Sequence, residues 1–146
     1  MPVPLHPEGR PTYLTASDRA VSLASEAALA AADKLATDVV ALDVSDHLVI
    51  TDVFLLASAP NDRQVRAIVD AVEERLQRSG ATPIRREGER EGRWVLLDFG
   101  EVVIHVQHTE ERNYYSLERL WRDCPLLKLP EQMSDPGQSG TDTSQA

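Results

Sequence analysis

The stretch WVLLDFGEVVIHVQ, Trp94 to Gln107, decides the fold. Two apolar, β-branched-rich runs, Trp94 to Asp98 and Glu101 to Gln107, are separated by Phe99-Gly100, which reads as a hairpin. Before it, Glu87 to Arg93 (EGEREGR) is a charged, glycine-containing turn, and Thr82 to Arg86 reads as a short edge strand. After it, Thr109 is placed to cap a helix running to about Arg122. Glu110 and Glu111 sit at the positive end of its dipole, with Arg119 and Arg122 near the negative end. Tyr114, Leu117, Leu120 and Trp121 share one side of this helix, and Cys124-Pro125 ends it.

Further upstream, Asn61 caps a helix with Gln64 at the reciprocal position. Val65, Ile68, Val69, Val72 and Leu76 recur at helical spacing, and Gly80 closes the element. Val39 to Val44 and Leu48 to Leu56 read as strands joined by a tight connection, one of them buried on both faces. Thr15 to Ala36 reads as an alanine-rich helix capped by Thr15, packing through Val21, Ala24, Ala28 and Leu35. The order α-β-β-α-β-β-β-α predicts an α/β protein, a mixed sheet of about five strands with helices packed on it.

Residues 15–130 form the expected single domain, long enough to bury roughly two thirds of its unfolded surface. Residues 1–14 hold four prolines and residues 131–146 are polar, so both ends read as disordered tails. The formal charge is −9, and only three of those negatives, Glu131, Asp135 and Asp142, lie in the C-terminal tail. An acidic domain disfavours DNA and anionic membrane surfaces as partners. Contacts to rRNA through Arg63, Arg66, Arg85, Arg86 or Arg90 are left secondary. Cys124 is the only cysteine, no apolar run is long enough to span a bilayer, and no signal peptide is legible, so the expected location is cytoplasmic.

Motifs for catalysis are missing. The chain has no G-x-x-x-x-G-K, no G-x-G-x-x-G and no G-x-S-x-G. His105 and His108 are three apart on a strand and so point to opposite faces, which gives no metal site; no cofactor is expected. Asp43, Asp46, Asp52 and Asp98 lie in or beside strands, where nucleotidyltransferases hold magnesium. Ser58 and Ser79 lack the glycine pair and acidic doublet that such enzymes need, so turn capping is the favoured role for the aspartates. Cys124, before a proline at a helix end, reads as a packed side chain. Trp94, Arg112, Tyr114, Tyr115 and Trp121 are the residue types that dominate protein interfaces. Core is the competing role for Trp94, Tyr114 and Trp121 and the favoured one for Trp121, while Tyr115, about 100° round the helix from Tyr114, is freer to face a partner. An acidic domain with aromatic side chains is complementary to a basic protein.

ITDVFLLAS, then NDRQVRAIVDAVEERL, then Glu87-Gly88, WVLLDFGEVVIHV and ERNYYSLERLW together resemble the ribosomal silencing factor S family, also called Iojap-like proteins. The similarity covers about Ser17 to Leu127, with Arg112, Tyr115, Leu117, Glu118, Leu120 and Trp121 as its most specific group. The resemblance implies a nucleotidyltransferase-like fold without catalytic residues, in a cytosolic protein that is a homodimer when free. It also implies binding to the large ribosomal subunit through ribosomal protein L-fourteen, blocking small-subunit joining and lowering translation when nutrients are short. Matched to the family motif, partner contact falls to Trp94, Arg112, Tyr115 and Glu118, with His105 and Glu111 added. Arg112 either meets an acceptor on the partner or braces Glu118 from inside. The alternatives are a large-subunit assembly factor, or a nucleotidyltransferase-related enzyme with residual nucleotide binding through Asp43, Asp52 or Asp98.

Overall fold

The computed structural model describes residue 10 and residues 13–130. The expected C-terminal tail and most of the N-terminal one lie outside the described residues. The elements are α1 (Asp18–Asp33), β1 (Thr37–Asp43), β2 (Val53–Ala59), α2 (Asp62–Arg78), β3 (Arg85–Glu87), β4 (Trp94–Asp98), β5 (Val102–His108), α3 (Thr109–Tyr115) and α4 (Leu117–Leu120). The five strands form one sheet in the order β1-β2-β5-β4-β3. β2 and β5 run parallel and every other pair antiparallel, so the sheet is mixed.

Side-chain alternation along the strands divides the molecule into two layers. Val53, Leu55, Ala57, Val95, Leu97, Val102, Ile104 and Val106 point to one face and form the larger core with α1 and α2. α2 supplies Val65, Ile68, Val69, Val72 and Leu76, all buried as their spacing requires. Each such side chain stabilises the fold by about 1.5–3 kcal/mol. α1 contributes mainly alanines, whose small side chains let α1 lie close to α2. Arg75 bridges the pair through Glu26 and Asp33. The opposite face carries a smaller cluster, Leu42, Val44, Leu56, Leu117 and Cys124, flanked by Phe54, Trp94 and Trp121. The central strands β2 and β5 are therefore buried on both sides.

Several local expectations change. α1 starts at Asp18 under Ser17, whose hydroxyl accepts from Ala20 N. Thr15 does not cap it, because its hydroxyl is engaged with Ser45 and Asp46. The helix ends at Asp33 because Leu35 turns to φ 61, and that side chain is 72% exposed instead of packed. Gln64 does not complete a capping box: its amide donates to Lys34 O and Leu35 O, tying the end of α1 to the start of α2.

Leu48 to Asp52 is not strand. Register is set by pairing with β5, from Val53 opposite Val102 to Ala59 opposite His108, so the stretch before Val53 loops out. Leu48 folds back onto the smaller cluster, and Val49 and Ile50 are exposed. The connection is a loop rather than a tight turn.

The last helix also differs. Ser116 sits at φ 46, ψ 60 and divides it, so the order ends in two short helices instead of one. Its N-cap is His108, not Thr109, with Nδ1 accepting from Glu110 N. After α4 the chain crosses the β1 edge, where Pro125 O accepts from Asp43 N and Leu127 N donates to Ala41 O. Leu126 stays with the smaller cluster while Leu127 joins the larger core. The other edge, β3, is three charged residues, a poor template for pairing with another chain.

Candidate functional site

The sheet face under α3 and α4 carries a row of rings, exposed at its α3 end and closed over at His105, which is buried. Alternation places Trp94 on β4, His105 on β5 and Phe54 on β2 on this one face. Tyr114 and Tyr115 lie 4.9 Å apart, and Tyr115 is 4.9 Å from Trp94 between ring centroids. The row continues to His105 (6.0 Å), Phe54 (5.0 Å), Trp121 (5.4 Å) and His47 (6.3 Å), largely by edge-to-face contacts. Its α3 end is open, with Tyr114 82% and Tyr115 52% exposed, and Leu120 on α4 is also exposed. A groove of about 520 Å³ runs there, lined by Tyr114, Tyr115, Ser116, Arg119, Leu120 and Arg122 among others.

Trp94 is held from two sides. Its indole N–H donates to His105 Nδ1 at 3.1 Å, and its backbone carbonyl lies against Gly88 so closely that a Cβ there would sit 1.9 Å from the oxygen. Gly88 also has φ +82, so the preceding turn requires glycine on both counts.

Because an indole N–H can only donate, His105 Nδ1 accepts and the ring is neutral. Burial, followed by the charge of Arg112, lowers the His105 pKa to about 4. The unfolded chain binds this proton near the ordinary value of 6.5, so the stabilisation is complete above that pH and is lost as pH falls toward 4. Between pH 7 and pH 5 the group is expected to cost about 2 kcal/mol of stability. Urea unfolding at both pH values checks this, because His105→Asn keeps an acceptor for Trp94 and removes the titration. An equal drop in wild type and variant would show that His105 is not responsible.

Arg112 is 3% exposed, and the structure places it behind the rings. Its Nε lies 3.2 Å from both Glu118 oxygens and its Nη2 2.8 Å from Oε2, with further donation to Asp38 O and Ser58 Oγ. Arg112 thus braces Glu118 from inside, the second of the two roles open to it, and ties α3 to α4 across Ser116. Burial alone would raise the Glu118 carboxyl. The hydrogen bonds and charge of Arg112, with a backbone hydrogen bond and the charge of Arg10, hold it below the usual carboxylate range. Glu111 is engaged too: Arg93 donates to it at 2.7 and 3.1 Å and to Glu110 at 2.8 Å. Bonds to both carboxylates hold the Arg93 guanidinium firmly protonated.

Of the residues singled out from sequence, Trp94, His105 and Tyr115 meet in the ring row, Arg112 and Glu118 form a pair behind it, and Glu111 stands beside it with Arg93. Phe54, His47 and Arg93 escape a reading of the sequence, and Trp121, expected in the core, joins the row while packing on the smaller cluster. Only the alternation of β2 pointed to Phe54. Arg93 carried no signal, because its two carboxylates arrive from α3.

The strand aspartates are occupied by backbone N–H groups. Asp43 Oδ2 accepts from Thr15 N (2.7 Å) and Ala16 N (2.9 Å), and its Oδ1 from Ser45 N and Oγ. Asp52 accepts from Ser17 N and Asp98 from Gly100 N. Among the described residues no group of three or more His, Cys, Asp and Glu is placed to hold a metal ion. Burial, then the Asp43 charge, pushes the Cys124 thiol up to about 11, which leaves it protonated at neutral pH.

The family described as ribosomal silencing factor during starvation matches residues 17–146, extending past the Ser17 to Leu127 resemblance into the polar end. The chain belongs to this ribosomal silencing factor family. Ribosomal silencing factor RsfS of Bacillus subtilis is 43% identical over 108 residues, 74% of this chain and 92% of that protein. The maize protein Iojap, chloroplastic, is 28% identical over 110 residues, 75% of this chain and 48% of its own length. A crystal structure of a Bacillus halodurans protein superposes with a TM-score of 0.65 at 38% identity, covering 77% of this chain and all of that one. One from Chromobacterium violaceum gives 0.67 at 31% identity, covering 75% and 88%. Arg10 lies outside the segment that matches the ribosomal silencing factor family.

Proposed function

We propose that this chain binds the large ribosomal subunit through ribosomal protein L-fourteen and, by occupying that surface, blocks joining of the small subunit and lowers translation under nutrient limitation. The observation that carries this reading is the open α3 end of the ring row, Tyr114 and Tyr115 against Trp94, on a chain of net charge −9. Aromatic anchors supply contact area at little entropic cost, and the net negative charge of the chain favours encounter with a basic ribosomal protein over rRNA phosphates. Family membership and relatives named ribosomal silencing factor support it. The activity is one of binding, without catalysis, and belongs in the cytoplasm; among the described residues no helix is long and apolar enough to cross a membrane. Trp94 and Tyr115 make direct contact in this reading, while Arg112 and Glu118 hold α3 and α4 in place beneath them. The free chain is a homodimer.

Sedimentation of purified subunits, in magnesium that favours joining, tests it. With the protein added, it is expected to travel with the large subunit while the joined particle declines. Protein left at the top of the gradient with joining untouched would overturn the proposal.

A further inference from the structure

We propose that Arg10 is a positioning residue for the partner-binding face, capping α4 from outside the family-matching segment and so fixing Trp121 at one end of the ring row. This rests on the function proposed above. α4 is one turn long, too short to persist by its own hydrogen bonds, and its terminal carbonyls have no partners within it. Something else must hold it.

Two arginines do so. Arg112 grips the Glu118 carboxylate from the sheet side. Arg10, 8% exposed, donates from Nη1 to Trp121 O at 3.0 Å and Cys124 O at 3.1 Å, and from Nη2 to Glu118 O. A guanidinium suits this place because it is a cation at the negative end of a helix and its planar fork reaches several acceptors at once. Its acceptors lie more than a hundred residues away in sequence, where no local pattern could show them.

The residues just before α1 are anchored as well. Thr15 N and Ala16 N are held by Asp43, and Ser17 N by Asp52, at the end of the sheet where α1 begins. Arg10 is thus fixed at α4, and Thr15 to Ser17 are fixed where α1 begins. Trp121 is the residue through which Arg10 reaches the site: the Trp121 carbonyl accepts from Arg10, and the Trp121 ring meets Phe54 and His47.

Arg10→Met and Arg10→Lys in the full chain test this, with two readouts. In hydrogen exchange without ribosomes, Arg10→Met is expected to speed the amides of Leu120, Trp121 and Cys124 about tenfold, leaving those of α2 unchanged. Large-subunit affinity should fall by about three- to tenfold, and Arg10→Lys, which keeps the charge but not the fork, should recover part of both. Unchanged exchange in α4, an equal rise in α2, or wild-type affinity in Arg10→Met would each overturn the proposal. A wild-type chain that does not bind the large subunit would overturn the proposed function instead, and the exchange data would then decide whether Arg10 holds α4.

Discussion

Replacing Arg112 with methionine is expected to lower the free energy of unfolding by about 3 kcal/mol, the lower end of the range for breaking a buried ion pair. The guanidinium is 3% exposed and serves the Glu118 carboxylate, Asp38 O and Ser58 Oγ together. Methionine fills similar space and satisfies none of them, leaving the Glu118 carboxylate and the Asp38 carbonyl without this donor, while Ser58 Oγ keeps its hydrogen bonds to Thr37. The lower end applies because Glu118 keeps a third of its side chain in water and can rehydrate. The double variant Arg112→Met, Glu118→Leu should recover part of the loss, since removing both charges avoids the unpaired carboxylate. Urea unfolding of the two single variants and the double variant supplies the cycle. A loss below about 1 kcal/mol in Arg112→Met would mean that the pair contributes no more than a surface ion pair does.

Trp94→Ala and Tyr115→Ala are each expected to weaken binding to the large subunit by about thirtyfold, roughly the 2 kcal/mol that defines an interface hot spot. The two differ in what else they disturb. Tyr115 is more than half exposed, so its truncation should leave the unfolding midpoint nearly unchanged. Trp94 is half-buried on the smaller cluster and donates to His105, so its truncation should also lower stability. Tyr115 is therefore the cleaner probe. Equilibrium binding to labelled subunits, with unfolding run alongside, separates the two effects, and wild-type affinity in Tyr115→Ala would remove the exposed end of the row from the binding face.

Much of the site was legible for a simple reason. Strand alternation is fixed by backbone geometry, so Trp94 and His105 had to lie on sheet faces that pairing could bring together, and the register of Leu96 opposite His105 does so. Helical spacing marked Tyr115 as freer than Tyr114, but Tyr114 is the more exposed, 82% against 52%, and Leu120 is exposed too, because the left-handed turn at Ser116 ends α3 and starts α4 in a new direction. Nothing in the sequence marks a serine for that conformation.

The sequence by itself determined the layered α/β architecture, the apolar face of α2 with its Asn61 cap, the hairpin of β4 and β5, the acidity and the family. These follow from periodicities and composition that act within a few residues of chain. The tertiary structure decided what long-range contact controls: where β2 begins, which strand aspartates hold backbone amides, that Arg112 braces Glu118, and that Arg10 reaches α4. Local pattern states which side of an element is apolar, whereas the partner that covers that side, and the acceptors that satisfy a buried charge, are brought from distant parts of the chain only when the layers close.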